Sequence, residues 1–121
     1  MLLGLRTAIY PVTDLPRAKQ WYEKVTGVKP YFDEPFYVGF SVGGFELGLL
    51  PNGTPATTGP QPLWGVKNIA EELKRIIALG ATELEPVTDV GEGIKVAALK
   101  DPFGNRLGLI ENSHFDPSKV R

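Results

Sequence analysis

The chain has 121 residues, 42% of them hydrophobic and 22% charged, which is typical of one globular domain and not of a disordered chain. The formal net charge of −1 provides no basic face for nucleic acid, and the absence of cysteine excludes disulfides and cysteine-ligated metals. Residues 1–6 have no basic residue before their short apolar stretch, so they do not resemble a signal peptide. No apolar run is long enough to span a membrane. We therefore expect a cytoplasmic protein.

The first predicted module covers about residues 5–50. Alternating apolar residues predict a strand over 7–12, and Asp14 is suited to cap the helix that follows. Gly27 suits the left-handed conformation that ends such a helix. The helix carries apolar residues at helical spacing that we expect in the core: Leu15, Ala18, Trp21, Tyr22 and Val25.

A hairpin completes this module. Strands are predicted over 36–41 and 45–50, because the paired glycines at positions 43 and 44 favour a tight turn between them. Residues 51–60 are rich in Pro, Gly and Thr and are predicted to form a linker.

The same pattern then repeats over about residues 61–111. A strand over 61–66 leads to a second helix, which Asn68 is suited to cap and Gly80 to end. Its apolar stripe is also expected in the core: Ile69, Leu73, Ile76 and Ile77.

The repeat ends in a second hairpin, with strands over 94–100 and 106–111. The polar tail, 112–121, contains the only histidine, His114, which we expect to be solvated. A βαβββ unit has one uncovered sheet face, so the two modules are expected to pair within one domain, 1–121. The predicted fold is α+β: two tandem βαβββ modules forming a curved mixed sheet, with the helices outside and a concave cleft inside.

Two motifs resemble those of the vicinal oxygen chelate superfamily, which contains glyoxalases, bleomycin-resistance proteins and extradiol dioxygenases. The start of its first module resembles Val12-Thr13-Asp14-Leu15-Pro16-Arg17-Ala18, followed by Trp21-Tyr22 and Gly27. Asp101-Pro102-Phe103-Gly104-Asn105 resembles its Asp-Pro-x-Gly-Asn hairpin. The resemblance implies paired βαβββ modules, commonly a homodimer. It also implies a cleft used for metal-assisted lyase, epimerase or dioxygenase chemistry, or for drug sequestration.

The metal enzymes of that family place ligands on the first and last strands of each module. Carried onto this chain, the first-strand positions fall on Thr7 and Gln61, and the last-strand positions fall on Gly48 and Gly108. Glycine has no side chain, and Thr and Gln are neutral oxygen donors, whereas such metals need imidazole and carboxylate. We therefore predict no metal site and no cofactor.

Residues two apart on a strand share a face, which extends these positions into a predicted cleft surface. Counting across the first hairpin places Ser41 opposite Glu46 and Gly39 opposite Gly48. The small residues of this surface either admit a ligand closely or only relieve strand curvature. The predicted ligand-binding residues are Thr7, Ile9, Tyr37, Gly39, Ser41, Gly48, Gln61, Leu63, Ala98, Arg106 and Gly108.

Glu46 is the candidate catalytic residue, because burial beside apolar strands would raise its pKa towards that of a general base. Arg106 holds the equivalent place in the second module. It either grips an anionic ligand or only neutralises Glu46.

Three functions remain open. The first is a metal-independent protein that binds a small molecule in the cleft, and the weak net charge argues against a strongly cationic drug. The second is a glyoxalase-related lyase or isomerase that uses Glu46 as base. The third is a noncatalytic interaction module. We expect a homodimer with no nucleic-acid or membrane partner.

Overall fold

Both halves of the chain have the same order of elements. The computed structural model describes Met1 and residues 3–120. The first module consists of β1 (Thr7–Val12), α1 (Leu15–Thr26), β2 (Phe32–Glu34), β3 (Tyr37–Val42) and β4 (Phe45–Pro51). The second consists of β5 (Leu63–Gly65), α2 (Ile69–Ala78), β6 (Thr82–Asp89), β7 (Lys95–Lys100) and β8 (Arg106–Glu111), before a short 3-10 helix (Pro117–Lys119). The α+β fold of two tandem βαβββ modules is thus confirmed.

The eight strands form two open four-stranded sheets, where the sequence suggested one continuous curved sheet. Their orders are β1-β4-β3-β2 and β5-β8-β7-β6, with β1–β4 and β5–β8 parallel and the other pairs antiparallel. Within the described residues the sheets are joined through side chains, as when the indole nitrogen of Trp64 donates to the Tyr10 hydroxyl over 2.9 Å.

The helices begin where their capping residues predict. Asp14 accepts a hydrogen bond from the backbone nitrogen of Arg17, and Asn68 accepts one from that of Glu71. Gly27 ends α1 in the left-handed conformation, with φ of 75°. Helix α2 ends slightly earlier than predicted, because Leu79 and not Gly80 is its cap residue.

Each helix packs on one face of its own sheet, and side chains on that face are buried. Leu47 and Leu49 of β4, with Leu107 and Leu109 of β8, point into this core, so the residues between them face the opposite side. The predicted core positions Trp21 and Tyr22 are buried, and His114 is exposed as expected. Ile77 is instead 40% exposed, because the buried stripe of α2 follows Ile69, Leu73 and Ile76. None of the helices in the described part of the chain is long and apolar enough to cross a membrane.

The Asp-Pro-Phe-Gly-Asn turn between β7 and β8 holds the second module against the first. The side-chain amide of Asn105 donates to the carbonyl oxygen of Pro11 at 2.6 Å and accepts from the backbone nitrogen of Ala56 in the linker. The indole of Trp21 donates to the carbonyl oxygen of Leu79 at 2.8 Å. The end of β1, the linker and both helices are therefore fixed together by hydrogen bonds between modules.

Candidate functional site

The predicted site residues of the first module lie on the sheet face opposite helix α1. Ser41 is in register with Glu46 and Gly39 with Gly48, as predicted from the hairpin, and Thr7 is in parallel register with Glu46. Thr7, Glu46 and Ser41 thus form one row across three strands. Beside this row, Ile9 is 50% exposed.

The carboxylate of Glu46 is the centre of a group of hydroxyl donors. Thr7 Oγ1 donates to it over 2.7 Å, the Tyr37 hydroxyl over 2.5 Å, and the Tyr31 hydroxyl donates to its second oxygen. These donors come from β1, from β3 and from the segment before β2. A cavity of about 550 Å³ opens beside the group, and Arg6 and Ser41 also line it.

The hydrogen bonds decide the charge of this site. Burial would raise the pKa of Glu46, but the bonds from Tyr31, Tyr37 and Thr7 outweigh burial and lower that pKa below its ordinary value. The expectation of a raised pKa was wrong, because it counted burial and not the donors. The pKa of Tyr37 is raised by burial and by its bond to Glu46, and that of Tyr31 is raised by its bond to Glu46. At neutral pH the site is therefore a carboxylate surrounded by neutral hydroxyl groups.

The glycines of the predicted cleft floor make room for other parts of the same chain. A Cβ added at Gly48 would overlap the hydroxyl of Tyr37 and lie 2.6 Å from its Cζ. One added at Gly39 would lie 2.8 Å from a carboxylate oxygen of Glu46. One added at Gly108 would lie 2.6 Å from Leu63 Cδ2 and 2.7 Å from the Pro62 carbonyl oxygen. The floor is thus covered by internal side chains.

The predicted residues of the second module form a separate group. Gln61 lies before β5 and is exposed, and Leu63 is exposed within it. Ala98 is in register with Gly108, and Lys100 of β7 is in register with Arg106.

Arg106 does not neutralise Glu46. Its Nη2 forms an ion pair with Glu85 at 3.0 Å, while its side chain is only 12% exposed. Its Nε is the one buried side-chain nitrogen or oxygen in the described part of the chain that has no hydrogen-bond partner. Among these residues no hydrogen bond or ion pair joins Arg106 to the Glu46 group.

The sequence did not identify Tyr31 or Glu85 as site residues. Tyr31 directly precedes β2, and its backbone nitrogen donates to the carbonyl oxygen of Gly39. A strand predicted at Phe32 would therefore have placed Tyr31 beside the first hairpin and close to Glu46. Glu85 had no comparable signal, since the β6–β7 register shifts on both sides of it.

A second cavity, of about 450 Å³, lies on the helix side of the sheets and is bordered by both modules. Leu47, Leu107 and Leu109 line it, and these residues alternate with Glu46, Gly48 and Gly108. It therefore lies on the opposite face from the predicted site. We favour the cavity beside Glu46 as the site, because several polar groups converge there on one carboxylate.

A family model described as the Glyoxalase/Bleomycin resistance protein/Dioxygenase superfamily matches residues 4–109. The chain belongs to this superfamily. Comparison with curated proteins finds no significant match.

Solved glyoxalase-superfamily structures have the same fold. A putative glyoxalase family protein from Bacillus anthracis is 20% identical, with a TM-score of 0.75 over 93% of this chain and 98% of that one. A glyoxalase/bleomycin resistance protein/dioxygenase family enzyme from Burkholderia phytofirmans PsJN is 17% identical, with a TM-score of 0.74 over 89% and 98%. A superfamily member from Sphaerobacter thermophilus is 21% identical, with a TM-score of 0.74 over 93% and 99%. At these identities the likeness concerns the fold alone.

The residues at the glyoxalase-superfamily metal positions do not fit a metal. The Thr7 hydroxyl donates to Glu46, and Gly48 and Gly108 have their side-chain space filled by Tyr37 and Leu63. In the described residues no three His, Cys, Asp or Glu side chains are grouped so that they could hold a metal ion. Divalent metals in such sites need several imidazole and carboxylate ligands, and Glu46 is a single one.

Proposed function

We propose that this chain is a cytoplasmic, metal-independent small-molecule-binding protein of the glyoxalase/bleomycin-resistance type, which holds its ligand on the sheet faces opposite the helices. The cavity beside Glu46 carries the proposal. Polar groups converge in it, and Ile9 on the same sheet face offers exposed apolar surface beside them, the combination that small-molecule sites require.

Binding is better supported than base catalysis. A carboxylate whose pKa lies below its ordinary value is a weak base near neutral pH, whereas an efficient general base has a pKa near the working pH. A lyase or isomerase using Glu46 would have to break the hydrogen bonds from Tyr31 and Tyr37 before accepting a proton. The three hydroxyl donors instead hold a fixed anionic group that suits recognition.

The donor set at the four family positions, Thr7, Gln61, Gly48 and Gly108, supports metal independence. Elemental analysis of the purified protein should find no stoichiometric Zn, Ni, Fe or Mn, and added metal should not promote lactoylglutathione formation. Near-stoichiometric metal, or activation by it, would contradict the proposal.

The decisive experiment screens aromatic and amphipathic small molecules by native mass spectrometry and compares two matched variants. Ile9→Arg places a bulky charge on the proposed binding face, at a side chain that is exposed and so should not disturb the core. Ile77→Arg makes the same change at an exposed position on helix α2. Ligands should be lost from the first variant and retained by the second. Equal binding by both variants, or no bound ligand in the parent, would refute the proposed site.

A further inference from the structure

The carboxylate of Glu46 carries a negative charge that is not neutralised within the described residues. Its partners Thr7, Tyr31 and Tyr37 are all hydroxyl groups, and none of the ion pairs in this part of the chain includes it. Neutral donors favour the ionised form without cancelling its charge. The cavity beside Glu46 therefore contains an uncompensated anionic group.

Arg6 lines the same cavity but is directed to other acceptors. Its Nη1 donates to the carbonyl oxygens of Leu3, at 3.5 Å, and Leu5, at 3.3 Å. No ion pair between Arg6 and Glu46 occurs among the described residues. Arg6 thus competes weakly for the carboxylate.

Aromatic rings adjoin the carboxylate. Tyr31 and Tyr37 reach Glu46 with their hydroxyls, and Phe32 packs 6.1 Å from Tyr37 and 5.9 Å from Phe36 between ring centroids. Tyr31 is 64% exposed and Phe36 63% exposed. Exposed aromatic faces attract cations and cover apolar groups, so the rings and the carboxylate favour the same kind of ligand.

This inference rests on the proposed function and specifies its ligand. We propose that the ligand of the first module carries a cationic nitrogen joined to an apolar group, with the nitrogen beside Glu46 and the apolar group over the aromatic rings. One carboxylate suits a singly charged amine or quaternary ammonium. The weak net charge of the chain still disfavours a highly charged cationic drug.

The test compares three probes of similar size: benzyltrimethylammonium, neutral benzyl alcohol and anionic phenylacetate. Each is titrated into the ¹⁵N-labelled full chain, and the backbone amide shifts of Tyr31, Gly39 and Glu46 are followed. Benzyltrimethylammonium should shift these amides with an affinity at least about tenfold higher than that of the other probes.

Variants separate charge recognition from general binding. Glu46→Gln should reduce the affinity for benzyltrimethylammonium to that for benzyl alcohol. Glu83→Gln, at an exposed carboxylate of β6, removes the same charge elsewhere and should change nothing. Arg6→Gln removes the competing cation and should strengthen binding.

The wild-type protein provides a second measurement in case Glu46→Gln does not fold. Affinity for benzyltrimethylammonium should fall as pH is lowered through the titration of Glu46, while that for benzyl alcohol stays constant. Equal affinity for these two probes, or affinity unaffected by both Glu46→Gln and pH, overturns the cation assignment. In either of those outcomes the probes still bind at this face, so the proposed small-molecule binding stands. If no probe shifts these amides, the cation assignment also fails, and the proposed function is then tested separately by the Ile9→Arg experiment.

Discussion

The hydroxyl group of Tyr22 donates a 2.5 Å hydrogen bond to the carboxylate of Asp101, and both side chains are buried. The pair joins helix α1 of the first module to the β7–β8 turn of the second. Asp101 also accepts hydrogen bonds from the backbone nitrogens of Phe103 and Asn105, so its carboxylate shapes the turn that it anchors. Burial nevertheless raises the pKa of Asp101 above its ordinary value.

Tyr22→Phe should destabilise the protein by about 1.5–3 kcal/mol at neutral pH, because a buried carboxylate loses one donor. The cost should shrink as pH falls through the titration of Asp101, since a protonated carboxyl needs that donor less. Tyr10→Phe is the matched control. It removes a hydrogen bond between neutral groups, Trp64 and Tyr10, and should cost only about 0.5–1.5 kcal/mol. Urea denaturation at several pH values measures both, and equal costs would contradict the role of Asp101.

Two glycine substitutions should differ in their effects. Gly108→Ala meets the backbone carbonyl oxygen of Pro62, which cannot move cheaply, and should cost about 1–3 kcal/mol. Gly48→Ala meets only the end of the Tyr37 side chain, which can rotate away. Gly48→Ala should therefore destabilise the protein less than Gly108→Ala, but it should break the hydrogen bond from Tyr37 to Glu46. Thermal denaturation tests the order of stability, and a reversed order would show that Tyr37 cannot move.

The titration of Glu46 should respond to its donors. Its pKa is lowered in the folded protein, so Tyr31→Phe and Tyr37→Phe should each raise that pKa towards its ordinary value. Because the folded pKa lies below the unfolded one, this group's stabilising contribution is complete above the unfolded pKa and is lost as pH falls through the folded pKa. Carboxyl ¹³C NMR measures the titration directly. A pKa unchanged in both variants would show that the tyrosines do not hold the ionised form.

Arg106, together with Gln61, should anchor anionic groups in the second module. Arg106→Ala should weaken binding of an anionic ligand by about 1.5–3 kcal/mol, the usual contribution of a charge-assisted hydrogen bond. Glu85→Gln removes the ion-pair partner of Arg106 and should strengthen the same binding. Calorimetric titration with phenylacetate measures both effects. A stability loss in Arg106→Ala without any change in affinity would assign Arg106 a structural role only.

We expect a homodimer in solution. The edge strands β2 and β6 are largely exposed, and Leu84 and Val90, which are not part of the proposed ligand site, leave apolar surface that association would cover. Sedimentation at tens of micromolar should give a species of about twice the 13.2 kDa chain mass. A single species at the chain mass would contradict this expectation.

The sequence alone determined the repeated frame of the fold, because caps, turns and strand alternation are local signals. The two helices begin at their capping residues, Asp14 and Asn68, and the first hairpin turns at Gly43–Gly44. Strand periodicity then determines which residues share a face. The register of Ser41 with Glu46 followed from counting alone.

Only the tertiary structure decided what the site residues contact. The pKa of Glu46 depends on Tyr31, which lies on a segment that the sequence did not place. Arg106 of β8 pairs with Glu85 of β6, which lies beyond β7 and is irregularly paired with it. The space beside Gly48 is filled by Tyr37, a contact that alternation cannot reveal. Alternation gives the direction in which a side chain leaves the strand. The partner that it meets depends on side-chain length and on the packing of segments distant in sequence.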